Sequence, residues 1–192
     1  ENPPRITLEE VELDIDYALI ISTNAGLWAY NIGDTVRFVS KKPYRLIVSG
    51  RIKHYISAFG EHVIAKEVEQ AMTEALAVHP EVRISEFSVA PEVNPTAQTL
   101  PYHEWFVEFE RLPSDLSAFE ASLDLSMQAQ NVYYKDLING KILRQLVVTP
   151  LAKGAFEAYM KSQGKLGGQN KVKRLSNDRE LADLLNPYIL SQ

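Results

Sequence analysis

Apolar and polar positions follow two different rhythms along this chain. The opening stretch is acidic, and Pro3-Pro4 reads as an extended entry. Tyr17 to Ser22 is a short apolar run rich in strand formers. Thr23-Asn24-Ala25-Gly26 has turn chemistry, and Leu27 to Asn31 then reads as a second strand, giving a hairpin. Gly33-Asp34 is expected to break that strand. Thr35 to Val39 alternates polar and apolar, like a half-buried strand. Lys41-Lys42-Pro43 turns the chain, and Tyr44 to Ser49 is another strand. This first part is predicted to be nearly all β.

Beyond Arg51 the period lengthens. Between Glu61 and Val78, residues Val63, Ile64, Val68, Met72, Ala75 and Leu76 recur at mostly helical spacing, and Pro80 stops the helix. Val82 to Ala90 alternates like a strand. Ile84, Glu86, Ser88 and Ala90 share one face, while Phe87 and Val89 fit less cleanly. Asn94 to Pro101 is a polar loop. Glu104 to Phe109 is a strand with Trp105, Val107 and Phe109 on one side. Pro113-Ser114 leads into a second helix, with Ser117 and Glu120 at capping-box spacing. Residues 131–138 fit a further turn of helix or none. Leu143 to Val148 reads as a strand ended by Thr149-Pro150, and Lys153 to Ser162 as a helix. Gly164 to Lys173 is a loop rich in glycine and lysine. Asn177 and Glu180 are a second capping-box pair, opening a last helix that runs to Leu185.

This order predicts an α+β fold, in which a small mixed or antiparallel sheet is packed with helices and preceded by a short all-β segment. The strands on either side of the 94–101 loop are expected to be antiparallel.

Composition narrows the function classes. The 192 residues are 45% hydrophobic and 23% charged, which suits a globular fold with a sizeable core. The net charge of -5 supplies no basic field for nucleic acid or an anionic membrane. The chain has no cysteine, so disulfides, thiolate metal sites and cysteine nucleophiles are out, and a cytoplasmic setting is expected. No apolar run approaches the roughly 20 residues needed to span a bilayer. The chain opens on Glu1-Asn2 without an initiator methionine and reads as a piece of a longer protein.

Two blocks bear chemistry. In Tyr30-Asn31-Ile32-Gly33-Asp34, a glycine before an acid lets the backbone turn and aims the carboxylate outward. A carboxylate can accept from both hydroxyls of a ribose. In Gly50-Arg51, the guanidinium offers a planar fork of donors for phosphate or sugar hydroxyls. The same residues also fit a Gly-Asp turn and a surface arginine, and spacing leaves both readings open. His54, His62, His79 and His103 lack metal-ligand spacing, so no metal site is expected. Gly164 to Gly168 is not followed by the Gly-Lys-Ser/Thr of a P-loop, and no Gly-x-Ser-x-Gly element exists.

Taken together, Tyr17 to Asp34 and Gly50 to Glu61 resemble the auxin-responsive Gretchen Hagen family of acyl acid amido synthetases, within the adenylate-forming superfamily. The resemblance is strongest over residues 13–78. It implies a two-domain enzyme whose large amino-terminal domain ends near residue 50 and whose small swinging domain spans 51–192. ATP would be the nucleotide, with Mg2+ in the full enzyme. A carboxylic acid and an amine such as an amino acid would be the substrates, and the missing amino-terminal domain would supply their pockets. By position, Asp34 would bind the ribose hydroxyls, Tyr30 would line the adenine side and Arg51 would close the ribose site. Arg51, Ile52 and Lys53 would form the hinge, and His54 to Glu61 would face the active site in one of two orientations. The family often has arginine after the tyrosine, where Asn31 stands here. Near the end of the swinging domain, a lysine on a mobile loop neutralises charge on the α-phosphate and leaving pyrophosphate. Related plant sequences have Gln-x-Lys-x-Pro-Arg there. Gln169, Lys171 and Arg174 fit, and Lys173 replaces the proline. Lys171 is therefore the expected catalytic lysine and Lys173 the runner-up. The isolated chain is expected to be inactive. The alternatives are a free-standing domain that binds a nucleotide or a partner without catalysis, and a purely structural interaction module.

Overall fold

The computed structural model describes residues 4–51, 55–95, 99–164 and 171–190. The chain divides into two compact units, Glu1–Lys53 and His54–Gln192.

The first unit is a three-stranded antiparallel sheet, with β1 (Asp16–Ile21), β2 (Tyr30–Lys41) and β3 (Tyr44–Arg51) in that order. Residues 23–26 form the expected turn, with the Gly26 amide donating to the Thr23 carbonyl at 3.2 Å and Gly26 at φ 99°. The sheet is one-sided. Val11, Val36 and Phe38 are buried, with Tyr17 and Leu19 packed against them. Gly33-Asp34 does not end a strand: β2 runs through it as one twelve-residue element. The break is absorbed as a bulge instead. Ala18 pairs with Thr35 and Ile20 with Asn31, so Ile32 to Asp34 stand opposite Leu19 alone.

The second unit is built on a mixed sheet of β6 (Arg83–Glu92), β7 (Tyr102–Arg111) and β8 (Val147–Leu151). β6 and β7 are antiparallel as expected, and β8 is parallel to β7. Helices cover both faces. Trp105, Val107 and Phe109 of β7 join the larger core with α1 (Ala65–Val78), α2 (Leu116–Gln130) and α3 (Val132–Asn139). Phe106 faces the other way, into a smaller core with α4 (Ala155–Ser162) and α5 (Glu180–Leu185). A short hairpin-like pair, β4 (Tyr55–Ile56) and β5 (Val63–Ile64), leads into α1. Helix α1 buries Val68, Ala71, Met72 and Ala75, which is the i, i+3, i+4, i+7 stripe. Burying a side chain such as Leu123 fully is worth about 1.5–3 kcal/mol.

Several sequence expectations shift here. Strand β6 has register irregularities around Ile84, so Ile84 packs on the same core as Phe87 and Val89, while Ala90 joins the opposite one. That is why its alternation reads imperfectly. Helix α2 is capped by Asp115, whose carboxylate accepts from the Ala118 amide at 3.0 Å, rather than by Ser117. Glu120 accepts instead from the Val148 amide at 2.7 Å. Residues 132–139 form a separate helix, started by Asn131, whose side chain accepts from the Tyr134 amide at 2.9 Å. The strand expected at Leu143 to Val148 lies later, and Pro150 sits inside it. Pro150 is tolerated because its backbone points away from β7: its carbonyl accepts from the Leu190 amide at 2.9 Å.

Candidate functional site

In the first unit the candidate residues lie on β2 and β3. Tyr30 opens β2 opposite Ile21, with its ring half exposed. The Asn31 side chain accepts from the Gly33 amide at 2.9 Å, a local turn that Gly33 completes at φ 83°. Asp34 follows at the bulge. Bulges re-aim side chains, and Asp34 lies where β2 rejoins the register of β1. Across the other edge of β2, Asp34 pairs with Arg51 and Thr35 with Gly50. The register thus makes Asp34 and Arg51 cross-strand neighbours. A Cβ at Gly50 would lie 3.2 Å from the Thr35 hydroxyl, so the strands approach closely there. Arg37 grips Asp16 through two hydrogen bonds of 3.0 and 2.8 Å, and that arginine holds the Asp16 carboxyl below its ordinary range. The pair fixes β1 against β2 beside the bulge. A carboxylate has the acceptors for two vicinal hydroxyls. Of the expected hinge, Ile52 and Lys53 lie outside the described residues, as does His54.

In the second unit, the segment from Tyr55 to Glu61 is pinned by several bonds. Ile56 is buried and pairs with Val63. The Ser57 amide donates to the Asn177 side chain at 2.8 Å, and the Phe59 amide to the Glu61 carboxylate at 2.8 Å. Glu61 is fully buried and lies 2.8 Å from Nε2 of the buried His103 on β7. Burial pushes the Glu61 carboxyl up, but the hydrogen bond and charge of His103, with the nearby amides, outweigh it and hold the group below its ordinary range. Asn131 donates to the Glu61 carbonyl at 3.0 Å. The His103 ring tilts against the ring of Tyr134, whose hydroxyl donates to Asp124 at 2.6 Å. Burial and the Asp124 carboxylate drive the Tyr134 phenol well up, so it stays neutral and donating. No local sequence signal pointed to this network, because its members are 42 and 10 residues apart.

Of the lysine block, Gln169 and Asn170 lie outside the described residues. Lys171 and Lys173 are exposed, and the backbone after them docks on β6. The Lys173 carbonyl accepts from the Ser88 hydroxyl at 2.7 Å. Arg174 lies over the Phe87 ring at 3.9 Å and reaches Glu86 at 2.5 Å. Its carbonyl accepts from the Val89 amide, and the Ser176 amide donates to the Val89 carbonyl. Arg174 to Ser176 thus run beside β6 as an added strand, bridged at Val89 and Leu175. Among the described residues, no group of three or more metal-ligating side chains is placed to hold a metal ion, so they offer magnesium no carboxylate cluster.

A one-sided β segment followed by a helix-covered mixed sheet defines a two-unit α+β protein with its candidate groups at a strand end and on a loop. Residues 66–180 match the GH3 family C-terminal domain, and residues 1–51 match the GH3 family central domain. With more than half its length in the first match, the chain belongs to the GH3 family. Curated relatives from Arabidopsis thaliana include indole-3-acetic acid-amido synthetase GH3.4, 25% identical over 97% of this chain and 33% of the relative. Indole-3-acetic acid-amido synthetase GH3.15 is 25% identical over 100% of this chain and 34% of the relative. The chain therefore spans about a third of the length of the curated relatives it matches. Among solved structures, a GH3.15 acyl acid amido synthetase superposes with a TM-score of 0.74 at 20% identity, covering 97% of this chain and 36% of the other. A second structure of that protein, in complex with 2,4-DB, gives 0.70 with 97% and 35% covered. At that identity the likeness shows the fold. No described helix is long and apolar enough to cross a membrane.

Proposed function

We propose that this chain is the junction and swinging part of an ATP-dependent acyl acid amido ligase. The whole enzyme joins a carboxylic acid to an amine such as an amino acid, in two steps. In the first, a carboxylate oxygen of the acid attacks the α-phosphorus of ATP, and pyrophosphate leaves. In the second, the amine nitrogen attacks the acyl carbon of the acyl-adenylate; AMP leaves and the nitrogen gives up a proton. Both steps work by positioning and charge stabilisation, without a covalent enzyme nucleophile. Residues 1–50 end the large domain and 51–192 form the small one, which turns about Arg51, Ile52 and Lys53 between the two steps. Asp34 accepts from the ribose hydroxyls, Tyr30 lines the adenine side and Arg51 closes the sugar site. Lys171 neutralises charge on the α-phosphate and the departing pyrophosphate. The cysteine-free composition suits a cytoplasmic setting.

The observation that supports this reading most is the pairing of Asp34, at the β2 bulge, with Arg51 across the strand, in a chain of the GH3 family. The test is acid-dependent ATP–pyrophosphate exchange by a protein carrying the upstream two thirds. Asp34→Ala should weaken ATP binding by about 10- to 100-fold, the worth of a charged hydrogen-bond acceptor. Lys171→Ala should slow adenylation by about 100-fold or more while leaving aminolysis of preformed acyl-adenylate near normal. Unchanged exchange in Lys171→Ala would move the role to Lys173 or elsewhere. This chain alone should show no exchange, and robust exchange by it would overturn the two-domain assignment.

A further inference from the structure

We infer that Asn177 is a positioning residue that couples the lysine-bearing segment 171–177 to the segment 55–61. The inference rests on the role proposed above for Lys171 and on the expectation that the stretch ending at Glu61 faces the active site in one domain orientation.

Sequence spacing assigns Asn177 to the N-terminus of α5, and the structure gives that task to another residue. Asp178 accepts from the Glu180 amide at 3.1 Å and from the Ser176 hydroxyl at 2.9 Å. The Asn177 side-chain oxygen reaches instead across 120 residues of sequence to the Ser57 amide at 2.8 Å. Both ends of that bond are short stretches fixed on their far sides. Ser57 follows buried Ile56 and precedes the Phe59–Glu61 turn that His103 anchors. Asn177 follows Ser176, which β6 holds through the Val89 carbonyl, and the Lys173 carbonyl is held by Ser88. Asn177 therefore ties residue 57 to the end of the β6-bound stretch that begins at Lys171.

The strength of the link suits such coupling. Asn177 is exposed and the bond joins two neutral groups, so it biases the two segments together by about fivefold in population. It can release and re-form within a turnover. The Glu61–His103 pair, buried on both sides, keeps one end of the segment in place meanwhile. Lys171 serves the first step on the mechanism proposed above, and by the family resemblance the stretch ending at Glu61 faces the active site in one of the two orientations of the small domain, so the bond makes those two orientations depend on each other.

The first test uses this chain. Asn177→Ala should raise amide exchange about fivefold at Ser57 and speed tryptic cleavage after Lys171 and Lys173 by a similar factor. Exchange at Trp105 and Val107 should not change. Asn177→Asp keeps an acceptor oxygen and should restore both readouts. Cleavage after Lys171 and Lys173 that stays at the wild-type rate, or an aspartate variant that behaves like alanine, would overturn the coupling. In the protein carrying the upstream two thirds, Asn177→Ala should slow pyrophosphate exchange and aminolysis of preformed acyl-adenylate together, each by about fivefold. A loss confined to one step would also overturn it. If Lys171→Ala leaves exchange untouched while the hydrogen-exchange coupling persists, the catalytic reading fails and the mechanical link stands.

Discussion

Glu61 shows how a single residue can serve both the fold and the candidate site. Its carboxylate is fully buried, takes the Phe59 amide and pairs with His103, and its carbonyl takes the Asn131 side chain. Removing one partner strands the other in the core, so His103→Ala should cost about 3–5 kcal/mol, read as a fall in the urea midpoint. The pH dependence follows from the lowered Glu61 pKa. In the unfolded chain the group titrates near its ordinary 4.5, and in the fold below that. Its stabilisation is complete above the ordinary range and disappears as pH falls through the lowered folded value. Urea titrations from about pH 6 to about pH 3 should show that loss, and Glu61→Gln should flatten it. Asp16 and Glu74 are also held low, but water screens them, so their share of the slope is small. A slope that is the same with and without the Glu61 carboxylate would remove it from the acid response.

At the scale of elements, helix starts are the sensitive points. Asp115→Ala removes the side-chain cap on α2's first turn, and should lower stability by about 1 kcal/mol, seen as a fall in Tm. Asn131→Ala should cost more, because the same side chain starts α3 and also donates to Glu61 and Glu67. If the two variants lose equal stability, those added bonds contribute nothing. What the sequence made legible divides along the same line. The one-faced pattern of Trp105, Val107 and Phe109 and the α1 stripe were readable, because each is a local period with one buried side. The bulges at Gly33-Asp34 and near Ile84 were not, since an extra residue inverts the alternation that a strand is read by. The Tyr30–Asp34 and Gly50–Arg51 blocks stood out as blocks, but their cross-strand register depends on which strands pair, which no local pattern encodes. Nothing local marks the partner of His103, because Glu61 lies 42 residues away. Capping spacing points to Asn177 for a related reason: the spacing is common, and Asp178 competes for the same amides.

For the molecule as a whole, both large cores draw every residue from the second unit. A chain of residues 54–192 should therefore fold cooperatively, with a urea midpoint close to that of the 192-residue chain for this unit. A shortened chain that showed no cooperative transition would mean that the first unit is needed for the second to fold. The first unit, with three buried residues among those described and a one-sided sheet, should not fold when expressed alone. The ends of the mixed sheet have one more consequence. Arg174 to Ser176 lie along the outer side of β6, and the backbone near Ile189 pairs with the outer side of β8. Bare outer strands invite other chains to add on, the route by which sheets grow into aggregates. Here the last described twenty residues, 171–190, act as hems on both sides of the fabric. Cutting the chain before residue 188 should leave the fold able to form but prone to self-association through β8, with turbidity rising on warming well before the wild-type chain clouds.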